Sequence, residues 1–337
     1  MPAANQQILL AARPTGFPKP TDFRLVETPI PEPAAGEFLV GISYLSLDPY
    51  MRGRMNAARS YADPQKLDEV MVGGAVGRVL ASRHANFAAG DYVVGMFGWQ
   101  QYALSDGAGV MKVDPAAAPI SESLGVLGMP GMTAYFGMLD VCAPRPGETV
   151  VVSGAAGAVG SVAGQIARIH GCRVVGIAGA DDKIRWITED LGFDAAFNYK
   201  TDANYGARLK ELCPSGIDCY FDNVGGAITD AVLPLMNTNG RVAICGQIAL
   251  YNLEKPETGP RLLPLVLVRT LTVKGFLVFQ YFGRAAEAHS KLAGWRKEGR
   301  LKSRETVAEG IDHAVAAFLG MLRGENIGKQ LVRISDL

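Results

Sequence analysis

From residue 37 to residue 106 the apolar positions fall in short runs, each cut off by a turn signal after a few residues: Glu37–Leu47 (EFLVGISYLSL), Val72–Ser82 (VGGAVGRVLAS), Asp91–Gly98 (DYVVGMFG) and Gln100–Asp106 (QQYALSD). Such runs predict a compact β-rich domain with few helices. Past Gly128 the rhythm changes. Met129–Leu139 (MPGMTAYFGML) has helical spacing, and Ala143–Glu148 (APRPGE) is a turn. Thr149–Gly154 (TVVVSG) is a continuous apolar run, the pattern of a strand covered on both faces. Val159, Val162, Ala163, Ile166, Ile169 and His170 then recur at helical spacing, and Gly171 stops the helix. Arg173–Gly179 reads as the next strand, Asp181–Gly192 as a capped helix, and Asp194–Tyr199, Ala203–Cys213, Ile217–Asn223, Ala227–Met236 and Arg241–Gly246 continue the alternation. Strand and helix in turn predict an α/β fold built on a doubly wound parallel sheet of Rossmann type. After Ala288–Lys302 the chain returns to other material: a strand-like Arg304–Gly310, an amphipathic helix over Ile311–Gly324 and a last strand, Gly328–Ile334. We therefore assign residues 1–125 with 304–337 to a β-rich domain and 126–303 to a dinucleotide-binding domain, and 337 residues suit two domains.

The turn between the first strand and helix of the alternating unit carries the most chemistry. Ala155, Ala156, Gly157, Ala158, Val159 and Gly160 fit G-x-G-x-x-G with Ala155 in the first glycine slot. Gly157 lets the backbone approach a pyrophosphate, Gly160 lets the helix pack on the strand, and the N–H groups opening the helix face the phosphates. The motif follows a strand and opens a helix, which is the context that makes it a dinucleotide site. An NAD site carries an acid at the end of the second strand, about 20 residues on. Here Gly179 and Ala180 stand at that position, with Lys183 just beyond, so the residues favour NADP. Asp181 and Asp182 point mildly the other way, or simply cap the helix.

Composition removes several alternatives. Lysine plus arginine equals aspartate plus glutamate at 33 each, so no net basic excess draws the protein to nucleic acid or an anionic membrane. The first apolar run is too short and too proline-broken for a signal peptide, which makes the protein cytoplasmic in expectation. The five cysteines lie far apart with no CxxC, and residues 1–125 hold no cysteine and a single histidine, His84. No metal site is expected. A carbonyl or alkene would have to be polarised by tyrosine, arginine, backbone N–H groups or the cofactor's own ribose hydroxyl.

Several stretches together, LSLDPYMRGRM, VMVGGAVGRV, LGMPGMTAYFGML, GAAGAVGSVAGQIA, GCRVVGIAGADDK, DCYFDNVGG, RVAICGQIALYN and GENIGKQLVRI, resemble the zinc-free medium-chain dehydrogenase/reductases. The nearest branch is that of the prostaglandin/leukotriene reductases, plant alkenal double-bond reductases and bacterial curcumin reductases. The resemblance implies a GroES-like β-rich catalytic domain beside the Rossmann domain, with NADP(H) bound on the turn from Ala155 to Gly160. It implies contacts to the added phosphate from Lys183 and Tyr199, and cofactor contacts from Met129, Thr133, Gly179, Asn223, Cys245, Gly246, Phe276, Leu277, Val278 and Asn326. It places Tyr251 near the nicotinamide ribose and the substrate carbonyl, and Tyr50, Arg52 and Tyr61 around the substrate. The implied reaction is NADPH-dependent reduction of the C=C bond of an enone or enal, with Tyr251 and the ribose 2′-hydroxyl stabilising the enolate. From the residues themselves, Tyr50 reads equally well as packing, and Arg52 reads better as a loop tie. Alternatives are a quinone oxidoreductase and a non-catalytic NADPH-binding sensor. The apolar run Arg261–Phe279 is suited to an edge strand, and relatives join such edges into a homodimer.

Overall fold

The computed structural model describes residues 4–58 and 60–336. The chain divides into two compact units, residues 1–124 with 305–337 and residues 125–304.

The first unit begins with an antiparallel pair, β1 (Asn5–Leu10) and β2 (Phe23–Thr28). There follow β3 (Phe38–Ser46), the short helix α1 (Tyr50–Arg54), β4 (Ala75–Ser82), β5 (Tyr92–Gly95), β6 (Tyr102–Ser105) and β7 (Met111–Val113). The short runs of the sequence thus become an antiparallel sheet, with β3 buried along nearly its whole length at the centre. The core beneath it is aromatic: Trp99 stacks on Phe23 at 5.8 Å and meets Phe318 edge-on at 5.4 Å.

The second unit opens with α2 (Met129–Phe136), which continues to Cys142 in π-type hydrogen bonding. Then come β8 (Thr149–Ser153), α3 (Gly160–Ile169), β9 (Arg173–Ala178), α4 (Asp181–Arg185), β10 (Ala195–Asn198) and α5 (Tyr205–Leu212). The unit is completed by β11 (Ile217–Asp222), α6 (Gly226–Val232), β12 (Met236–Ile244), α7 (Leu263–Val268), β13 (Thr272–Gly275) and α8 (Ala285–Lys297). Every pairing is parallel and the order is β10-β9-β8-β11-β12-β13. Counted within the unit, that is 3-2-1-4-5-6, the doubly wound order whose direction of build reverses between β8 and β11. All of β8 is buried, as its unbroken valine run requires.

Two elements differ from the sequence reading. The helix expected to Met236 ends at Val232, because Pro234 cannot continue it, and Met236 already opens β12. The apolar run Arg261–Phe279 is only partly a strand: α7 takes Leu263–Val268, and β13 is four residues long at the sheet edge.

The chain then returns to the first unit with β14 (Glu305–Glu309), α9 (Ala314–Leu322) and β15 (Lys329–Arg333). β15 pairs with β3, so the last strand joins the sheet built by β3 to β7. The join is fixed by a buried ion pair: Lys329 Nζ donates to Asp48 Oδ1 at 2.8 Å and to the Leu47 carbonyl at 2.7 Å. Among the described residues no helix is long and apolar enough to cross a membrane.

Candidate functional site

Ligands of open α/β sheets bind at the carboxyl ends of the strands where the order reverses. Here that point lies between β8 and β11. β8 ends at Ser153, and Gly154 turns the chain with φ +59°. Ala155 is buried and its N–H is spent on the Ile177 carbonyl at 3.0 Å. A Cβ on Gly160 would stand 2.3 Å from the Gly154 carbonyl oxygen, so only glycine lets α3 start against the turn. At Gly157 the same oxygen would be 3.3 Å away. The N–H groups of Ala158, Val159 and Gly160 lie at the start of α3. They form a donor set at a helix N-terminus, suited to a phosphate. The motif is therefore better framed as Gly154-x-x-Gly157-x-x-Gly160. The sequence reading put Ala155 first and missed Gly154, whose signal was a glycine at every third position.

At the end of β9, Gly179 leaves room for a ring: its Cβ would lie 2.8 Å from Tyr199. Both neighbouring acids are engaged locally. Asn198 Nδ2 donates to Asp181 at 2.8 Å, and Asp182 accepts the Lys183 N–H at 2.8 Å. The Lys183 side chain is largely buried, and burial holds its ammonium below the ordinary lysine range; Asp182 opposes that shift and Lys200 adds to it. Two cations thus act on each other at this corner. Lys200, which the sequence reading passed over, follows directly on Tyr199.

The ends of β11 and β12 meet at a buried carboxylate that sequence reasoning also missed. Asp222 Oδ1 accepts from Ser153 Oγ (3.0 Å), the Tyr220 hydroxyl (2.9 Å) and the N–H groups of Val224 and Gly225 (2.9 Å each). Its Oδ2 accepts from Thr229 Oγ1 (2.7 Å) and Gln247 Nε2 (2.8 Å). Its carbonyl takes the N–H groups of Cys245 and Gly246. Asn223 is fixed to β8 through Ser153, its Nδ2 reaching the Ser153 carbonyl at 2.7 Å. Gly246 lies against both Asn223 and Tyr251, since a Cβ there would be 3.3 Å from the Asn223 carbonyl and from the Tyr251 hydroxyl. That hydroxyl accepts the Gln247 backbone N–H at 3.2 Å. Burial raises the Tyr251 pKa above the ordinary tyrosine value; the Gln247 N–H opposes this, while Cys245 and Asp222 add to it. Burial, with Asp222, pushes the Cys245 thiol up to about 12, so it stays neutral. Gly154, Asn223, Gly246 and Tyr251 are thus one contiguous surface of this unit.

The other residues singled out by the sequence are more dispersed. Thr133 on α2 spends its hydroxyl on the Met129 carbonyl at 2.8 Å. Phe276 turns its ring inward against Gly137 and Phe221, its N–H donates to the Ile244 carbonyl at 3.4 Å, and the Leu277 N–H donates to Gln280 Oε1 at 3.0 Å. Asn326 belongs to the first unit, where its Nδ2 closes a turn onto the Gly328 carbonyl at 2.8 Å. So do Tyr50, Arg52 and Tyr61. Arg52, which the residues themselves read as a loop tie, is 2% exposed and donates to Asn56 Oδ1 at 2.7 Å and to the Gly16 carbonyl at 2.8 Å. Tyr50 is driven well above the ordinary tyrosine range by burial, then by Asp48 and Tyr61, against the pull of Arg54. Tyr61 is exposed. No group of three or more His, Cys, Asp or Glu side chains able to hold a metal comes together among the described residues.

Residues 6–113 match a family described as the N-terminal domain of oxidoreductase, and residues 158–293 one described as zinc-binding dehydrogenase. With this fold, switch point and turn, the chain belongs to the medium-chain dehydrogenase/reductase family, in its zinc-free reductase branch. It is 44% identical over 336 residues to the NADPH-dependent curcumin reductase of Escherichia coli, covering 98% of this chain and 97% of that one. It is 44% identical over 322 residues to prostaglandin reductase 1 of Mus musculus, covering 94% and 95%. A crystal structure of CurA in complex with NADPH from Vibrio vulnificus superposes with a TM-score of 0.95 at 44% identity, over 98% of this chain and 100% of that one.

Proposed function

We propose that this protein is an NADPH-dependent reductase of the carbon–carbon double bond of α,β-unsaturated ketones and aldehydes, working without zinc. One observation carries the reading. The Tyr251 hydroxyl, its oxygen already accepting a backbone N–H, adjoins the strand ends that border the glycine turn. The residues present fit the cofactor's charges: the N–H groups of Ala158, Val159 and Gly160 suit the diphosphate, and the buried Lys183 beside Tyr199 and Lys200 suits an added ribose phosphate. When bound, NADPH supplies the hydride that adds to the β-carbon. The negative charge then grows on the substrate carbonyl oxygen, and a donor fixed in advance stabilises it. Tyr251 is that donor. Its hydroxyl hydrogen has no acceptor among the described residues, and its raised pKa keeps it protonated at neutral pH.

The names of the relatives support the reaction class. Calorimetric titration with NADPH, followed by parallel assays with an enal, an enone, a curcuminoid and a quinone, tests it. NADPH uptake with turnover of the enone or enal is expected, unchanged by a zinc chelator. No uptake, or oxidation of NADPH by the quinone alone, would overturn it.

We also propose a homodimer through the edge of the parallel sheet. β13 is exposed along its length, and the adjacent α7 presents Leu263, Leu267 and Val268 at 81%, 77% and 78% exposure. An open edge and an apolar helix face of this kind are what a second copy would cover. A cytoplasmic location suits the five free thiols.

A further inference from the structure

Gln247 stands between the buried carboxylate and the tyrosine hydroxyl. Its Nε2 donates to Asp222 Oδ2 at 2.8 Å and to the Gly246 carbonyl at 2.9 Å. Its backbone N–H donates to the Tyr251 oxygen at 3.2 Å. The structure is shaped to admit this side chain: Gly225 has φ +74°, and a Cβ there would lie 2.2 Å from Gln247 Oε1. The other end of the link cannot move. Asp222 is fully buried and held from β8 by Ser153, from its own strand by Tyr220, from α6 by Thr229 and by two turn amides.

A backbone N–H aimed at a phenol oxygen does two things. It fills one acceptor direction, so the hydroxyl hydrogen is turned outward as a donor. It also favours the charged form of the phenol, against the rise that burial imposes. Both depend on the direction of one peptide group, and a peptide in a loop has that direction only if something fixes it. We infer that Gln247 is a positioning residue: by bonding to Asp222 it locks the peptide whose N–H orients the Tyr251 hydroxyl toward substrate. This role rests on Tyr251 acting as the enolate donor.

Gln247→Met keeps the length of the side chain and removes the donor, while Asp222 retains its bonds to Ser153, Tyr220, Thr229 and the two amides. The expected result is a fall in kcat for enone reduction of about tenfold to a hundredfold, the cost of a misplaced group, with NADPH affinity changed by no more than about twofold. A second readout needs no cofactor. With 3-fluorotyrosine at position 251, the ¹⁹F titration midpoint of the free protein should move upward in Gln247→Met, because the N–H that lowered it has lost its aim. The third variant is Gln247→Glu. The introduced carboxyl faces Asp222, with Tyr220, Thr229 and Cys245 around it and no cation paired to Asp222 among the described residues. It can donate to Asp222 only when protonated, so kcat of this variant should recover as pH falls. That recovery decides the matter if Gln247→Met proves unstable. If Tyr251→Phe lowers kcat while Gln247→Met leaves both kcat and the ¹⁹F midpoint unchanged, or if Gln247→Glu shows no recovery on acidification, the positioning role is overturned and the donor role of Tyr251 stands. An unchanged kcat in Tyr251→Phe overturns both.

Discussion

The α-carbon of Gly160 lies so close to the carbonyl oxygen of Gly154 that a single methyl group between them would stand 2.3 Å from that oxygen. The contact joins the end of β8 to the start of α3, and so sets where the helix N-terminus points. Gly160→Ala must push α3 away from the turn. Overpacking of this kind costs about 1–3 kcal/mol. We expect a lower Tm together with weaker NADPH binding by calorimetry. Unchanged affinity would mean that the turn does not cradle the phosphates.

Lys183→Ala tests the second strand end. A hydrogen bond to a charged group is worth about 1.5–3 kcal/mol, so KM for NADPH should rise about tenfold to a hundredfold while KM for NADH scarcely moves. The comparison of the two cofactors is the measurement. Equal effects on both would show that Lys183 meets no ribose phosphate.

Tyr251→Phe removes the proposed donor. Loss of one such donor costs about 10²–10³ in kcat, and NADPH affinity should be retained. The pH dependence has a definite sign. Because burial raises the Tyr251 pKa, the protonated donor persists further into alkali than a free tyrosine would, whose pKa is about 10. The kcat of the unaltered protein should therefore show no loss from this group below about pH 10. An alkaline limb at neutral pH that disappears in Tyr251→Phe would contradict the assigned direction.

Lys329→Met would strand the Asp48 carboxylate, whose side chain is almost fully buried. Breaking one partner of a buried pair costs about 3–5 kcal/mol. Adding Asp48→Asn should restore much of it. Urea unfolding of the single and double variants measures both, and a neutral single variant would remove the pair from the account of how the last strand is held.

Leu267→Glu puts a charge on the exposed face of α7. Sedimentation velocity at micromolar concentration should find a dimer for the unaltered chain and a shift toward monomer for the variant. A monomer in both cases would rule out the sheet-edge assembly.

Much of the architecture was legible in residue order. The valine run of β8, the helical spacing from Val159 to His170 and the regular alternation that follows read directly as a doubly wound sheet, because burial on both faces leaves strands no polar positions to disguise them. The glycine turn was legible for the same local reason: a tight turn before a helix needs small residues. What escaped was whatever depends on residues brought together from distant segments. Asp222 looks like one more charge at a strand end, yet Ser153, Thr229 and Gln247 converge on it from other elements. Arg52 reads as a loop tie from the residues themselves, but its partners Gly16 and Asn56 are identified only by the fold. The run from Arg261 to Phe279 is mostly apolar, and its division into helix and edge strand follows from pairing with β12, which composition cannot register. Periodicity and turn chemistry are local, so the sequence alone determined the class of fold and the glycine turn. Hydrogen bonds between side chains remote in sequence are not, so only the tertiary structure decided which polar groups are spent on the scaffold and which remain for chemistry.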